Sequence, residues 1–218
     1  MNWQTINATR TVVIAFALLC GFSGITAGVF ELQQGNAVPE NLIISTIGPE
    51  YSMWRTYDFS ELQETYSALT IVPNFFVTGI LAIIVSALGI VWAIWFIQTK
   101  YGVIIYFLMS IIQVLIGGSF VLDLAIINTL IATRINQPLK WWQSHLSEPL
   151  QRFLSMIWPW SVLFYVIVSI VLLGIPVLAL IDAGLLEYMG IASALMFIPI
   201  ILMIIGGFAH DIQRKLNR

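Results

Sequence analysis

Four stretches of this chain run long, apolar and free of charge, and the polar residues gather between them. Residues 11–30, 71–97, 161–181 and 190–209 each reach the length of about 20 residues that a helix needs to cross hydrocarbon. They predict four transmembrane helices. The first, TVVIAFALLCGFSGITAGVF, follows Arg10 and is longer than the apolar core of a signal peptide, so it reads as a retained span. Pro73 suits the first turn of the second, while Pro176 and Pro199 fall inside the last two as expected kinks. Trp92, Trp95, Trp141, Trp142, Trp158 and Trp160 lie near span ends, where an aromatic belt would place them.

A fifth stretch, residues 101–133, holds a single charge, Asp123. As one straight helix it would be about 50 Å long against roughly 30 Å of hydrocarbon, more than ordinary tilt absorbs. Gly117 and Gly118 are the natural place for it to turn back, giving two short arms that form a broken or re-entrant hairpin over residues 102–133. The fold class that results is all-α: one polytopic helical membrane domain over residues 1–218 with six membrane segments, or five if the segment crosses once.

Charge placement separates these topologies, because lysine and arginine stay on the cytoplasmic side. With six segments and the N-terminus inside, Arg10, Lys100, Arg134, Lys140, Arg152, Arg214, Lys215 and Arg218 are cytoplasmic and only Arg55 is outside. Five segments with the N-terminus inside leave only Arg10 and Lys100 cytoplasmic. Five segments with the N-terminus outside misplace those two. The six-segment reading puts both termini in the cytoplasm, and compact loops favour a bacterial plasma membrane.

Two segments between spans have size. Residues 31–70 form an acidic extramembrane loop with Glu31, Glu40, Glu50, Asp58, Glu61 and Glu64, punctuated by Pro39, Gly48 and Pro49. Its second half, DFSELQETYSALT, opens like a capped helix, with Asp58 or Ser60 able to accept first-turn amides. Residues 134–157 form a basic and aromatic interfacial loop, in which Pro149 interrupts any smooth helix.

Composition agrees with the bilayer as main solvent: 59% of the 218 residues are hydrophobic and 9% charged, where soluble domains carry near one quarter. The net charge of −2 says nothing about nucleic acid, but no basic run is present that would track phosphates, so no nucleic-acid partner is expected. The single Cys20 excludes a disulfide framework. The expected partners are the lipid bilayer and another membrane protein; no cofactor and no metal site are expected, since there is no phosphate loop, HExxH or CxxC, and His145 and His210 lack further ligands at a useful spacing.

Candidate chemistry is sparse. Asp123 at mid-depth would cost about 2.5 to 3.5 kcal/mol, so it needs protein or water beside it. Ser119 and Arg134 share its helical face and Asn128 points elsewhere; these four make a candidate intramembrane polar site. Gly79, Ala82, Ser86, Gly89 and Ala93 recur at spacings of three and four, a stripe where helices approach closely, and Gly24 and Gly28 offer its packing partner. Gly21-Phe22-Ser23-Gly24 is similar to the GxSG nucleophile motif of rhomboid intramembrane proteases, a resemblance of four residues that would imply a Ser23–His210 dyad. The leading expectation is a non-catalytic accessory or assembly component with an unidentified partner. A small transporter or channel built on Asp123 is the alternative, and an intramembrane serine hydrolase a remote one.

Overall fold

The structure, a computed structural model, describes residues 7–39, 42–45, 67–118, 122–179, 185 and 188–216. Among these, seven helices and one small sheet follow in the order α1 (Ala8–Gln33), β1 (Ile43–Ser45), β2 (Ser67–Leu69), α2 (Phe75–Trp95), α3 (Gly102–Leu115), α4 (Leu122–Ala132), α5 (Lys140–His145), α6 (Glu148–Ala179) and α7 (Tyr188–Leu216). Four helices are long and apolar enough to cross a membrane: Ala8–Gln33, Phe75–Trp95, Glu148–Ile175 and Gly190–Leu216. The architecture is consistent with a helical membrane bundle.

Helix ends differ from the expectation for local reasons. Asn74 caps α2 by accepting from the Val77 amide at 3.0 Å, so Pro73 precedes the cap instead of filling the first turn. α1 runs to Gln33 and stops at Gly35, whose φ of +69° is the left-handed conformation that favours glycine at a helix end. α6 starts at Glu148, well before the expected span, with Pro149 in a first turn whose amides need no helical partner. The helix expected in the second half of the acidic loop ends in a strand: Ser67–Leu69 pairs antiparallel with Ile43–Ser45. The backbone there is already engaged, since the Thr70, Ile71 and Gly117 amides donate to the Leu42, Leu115 and Leu69 carbonyls at 2.8, 2.9 and 2.8 Å. Glu40, Glu50, Arg55, Asp58, Ser60, Glu61 and Glu64 lie outside the described residues.

The long apolar segment is not one straight helix. α3 ends at Leu115, and α4 begins at Leu122. Asn128 Nδ2 donates to Tyr106 Oη at 3.0 Å, whereas on a continuous helix residues 22 positions apart would be separated by about 33 Å. The chain therefore folds back. Helices of 14 and 11 residues are about 21 and 17 Å long, each short of the hydrocarbon thickness.

The chain divides into two compact units, Phe16–Thr129 and Met1–Ala15 with Leu130–Arg218. In the first, α2 is turned inside out relative to a soluble helix. It buries Thr78, Gly79, Ala82, Ser86 and Ala93 and exposes Ile80, Ile84, Leu88, Val91 and Trp95. Small and polar side chains inside with large apolar ones outside is the arrangement lipid favours, because lipid tails already satisfy apolar surface and helices associate by close packing.

In the second unit α6 and α7 pack together along Trp158, which is fully buried, with Gly206 and Gly207 leaving room for its ring. α5 rests on α7 through Trp142 and Phe208, ring centroids 5.3 Å apart. The first turn of α1 is capped from α7. Asp211 accepts from the Ala8 amide at 3.0 Å, the Thr9 amide at 2.8 Å and the Thr9 hydroxyl at 2.6 Å, and pairs with Arg214 at 3.4 Å. A carboxylate there meets the orphan amides and positive dipole of the helix N-terminus at once.

Candidate functional site

Within the unit of residues 16–129, α1 and α2 meet along the two small-residue stripes. A Cβ at Gly28 would overlap the Gly79 carbonyl oxygen and crowd Ala82, and one at Gly79 would overlap the Gly28 carbonyl and the Leu32 amide. Gly24 lies against Ser86 Oγ, the Gln113 side-chain amide and the Gly118 carbonyl. Ala93 is fully buried, while Gly89 has open space where a side chain would stand. Such close approach brings backbone dipoles and polar side chains into the interior of the unit.

The approach puts Glu31, one turn from the end of α1, against the helix break. Glu31 is 0% exposed, and neither carboxyl oxygen has a hydrogen-bond partner among the described residues. Its carboxyl packs onto Gly117, where a Cβ would overlap it. Gly117 has φ of +89°, the left-handed region that glycine enters at low cost, so both the turn and the contact require a residue without a side chain. The position is electrostatically adverse for an anion: the C-terminal end of a helix carries negative dipole, and an unpaired buried carboxylate costs far more than a paired one.

Among the described residues, no ion pair reaches it. The Thr78 hydroxyl donates to the Ile116 carbonyl and shares a hydrogen bond of 2.8 Å with the Thr70 hydroxyl. Gln113 Nε2 donates to the Cys20 carbonyl at 3.0 Å and the Gly118 carbonyl at 3.1 Å, pinning the residues after α3 to α1. Ser86 Oγ is buried without a hydrogen-bond partner among the described residues. Ser110, Gln113 and the Tyr106–Asn128 pair are buried in the same unit.

The residues singled out from sequence are distributed differently. Asp123 lies in the first turn of α4, with its side chain outside the described residues, as is the whole of Ser119. Asn128 is fully buried against Tyr106, whereas Arg134 is exposed in the turn after α4. Ser23 is half-buried on α1 in the unit of residues 16–129, and His210 belongs to the other unit, its ring 4.8 Å from that of Trp158. His145 stacks on Trp141 at 4.4 Å and contacts the Trp141 carbonyl through Nδ1 at 2.8 Å. No group of three metal-ligating side chains occurs among the described residues.

Sequence reasoning missed Glu31 as a site because it adjoins the acidic loop and closes an apolar run. The available signal was its position: helix α1, counted from Arg10 at its usual length, ends beyond residue 31. No family model, characterised protein or solved structure matches this chain.

Proposed function

We propose that the chain is a polytopic integral membrane protein of six membrane segments, α1, α2, the α3–α4 hairpin, α6 and α7, which carries a small cation, proton or alkali metal, across a bacterial plasma membrane. Charge placement supports the orientation: with the first residues cytoplasmic, eight of the nine basic residues stay inside. The loop after α1 then faces outward, and Glu31 and Gly117 lie near the outer mouth of the unit.

The observation that carries the transport reading is the buried Glu31 carboxyl, without a hydrogen-bond partner among the described residues and packed on Gly117 after α3. Ionisable groups inside membrane bundles are expensive, and broken helices are where transporters expose backbone to ions. A protein serving only as an accessory or assembly component would gain nothing from such a group, so Glu31 favours ion handling over that expectation. It also moves the site from Asp123 to Glu31.

The test is flux in proteoliposomes carrying an internal pH-sensitive dye, under imposed proton and alkali-cation gradients. Wild-type protein is expected to conduct, and Glu31→Gln to lose flux at unchanged folded yield. Absence of wild-type flux, or equal flux in the variant, overturns the reading. Side-specific labelling of single cysteines at Gly48 and Gln143 in a Cys20→Ala background tests the topology, with opposite sides expected.

A further inference from the structure

We propose that the Glu31 site takes a proton, and excludes alkali and divalent cations. The inference rests on the ion-handling reading above and narrows its substrate class.

The argument is one of ligand supply. A bare metal ion in place of water needs several oxygen ligands, as carboxylates, carbonyls and hydroxyls together provide in calcium and magnesium sites. Among the described residues at the helix break, the hydroxyl and carbonyl oxygens with assigned contacts serve one another and not Glu31. The Thr78 hydroxyl serves the Ile116 carbonyl and the Thr70 hydroxyl, and the Gly118 carbonyl accepts from Gln113. The contact that the carboxyl makes at the break is with Gly117, where a Cβ would overlap it, and a glycine offers no side-chain oxygen there. No second carboxylate joins it among the described residues, so no cluster of metal-ligating groups forms there.

Among the described residues, Glu31 has no ion pair with a cation. α2 contains no titratable residue, and neither does Ser67–Leu69; α3 contributes Tyr106, engaged with Asn128, and α1 contributes Cys20 and Arg10, far along the helix from residue 31. Asp123 in α4 is the other acid in this unit among residues assigned to a helix. Of the ions available to a membrane protein, only a proton converts a lone carboxylate into a neutral group with no further ligand. A neutral acid also suits the C-terminal end of α1, where a negative charge is opposed by the helix dipole.

Reaction with a hydrophobic carbodiimide tests the assignment on the full chain in detergent. The acid proton passes to a carbodiimide nitrogen as a carboxyl oxygen bonds to the central carbon. The adduct rearranges to a stable N-acylurea with no leaving group, so only a protonated acid that the apolar reagent reaches as the buried site opens is marked. Mass mapping is expected to find the label on the peptide holding Glu31 and to miss it in Glu31→Gln. The labelling rate is expected to fall about tenfold for each pH unit once the acid ionises, with sodium, potassium or calcium changing it less than about twofold. Wild-type protein whose Glu31 stays unlabelled while eluting as a folded species overturns the proposal, as does protection by any of those cations. A labelled, cation-insensitive Glu31 without proteoliposome flux refutes transport and leaves the proton site standing.

Discussion

Helix α1 has a buried carboxylate at each end, and the two are treated in opposite ways. At its start, Asp211 of α7 accepts two backbone amides and a hydroxyl and pairs with Arg214, so its charge is matched by donors and by the positive end of the dipole. At its finish, Glu31 has no hydrogen-bond partner among the described residues and faces the negative end. The first is what stability alone would select. The second costs stability and is explicable as a place where a charge comes and goes. In a low-dielectric interior, an acid matched by donors and a cation is held as a structural carboxylate, and one without them is costly to keep charged.

Substitutions can break or sharpen that contrast. The largest effect is expected from Gly28→Leu, which forces a side chain into the Gly79 backbone and pushes apart the helices that bury Glu31. A loss of about 3 kcal/mol, read as a lowered thermal midpoint in detergent, would show that the seam holds the site. Gly117→Ala should follow, at about 2 kcal/mol, because the residue needs a left-handed backbone and would overlap the Glu31 carboxyl. Combining it with Glu31→Ala should recover part of that loss, and additive losses would deny the contact.

At the other end, Asp211→Asn is expected to cost about 1 to 2 kcal/mol, since an amide keeps one acceptor where the carboxylate uses both and removes the charge that faces Arg214. Glu31→Gln is expected to change stability least, by about 0.5 kcal/mol or less, because it exchanges one unpartnered polar group for another of the same shape. Thermal midpoints of the two isosteric variants give the comparison directly. A large loss in Glu31→Gln with a small one in Asp211→Asn would reverse the assignment of roles.

Much of the helical layout is legible in the sequence. Uncharged runs as long as a bilayer is thick mark the four long helices, and small residues at spacings of three and four mark where α1 and α2 approach. Length arithmetic also disfavours a straight helix over residues 101–133. The carboxylates resist such reading. Glu31 sits among acids that look like a solvated loop, and only the extension of α1 to Gln33 takes it inside. Asp211 follows His210 near the end of an apolar run, and the amides it caps are more than 200 positions away. Local pattern carries periodicity and length; it does not carry which distant backbone a side chain will serve. The strand at Ser67–Leu69 is similar, a helix-like composition overridden by pairing partners supplied by residues 42–45, 115 and 117.

The capping of Ala8 and Thr9 by Asp211 also sets an order of events during synthesis. The first amides of α1 leave the ribosome about 200 residues before the acid that receives them. Until then they must be served by water or lipid headgroups, so α1 enters the membrane with an open end and is locked only when α7 arrives. A nascent chain released early would carry that open end to the quality-control proteases.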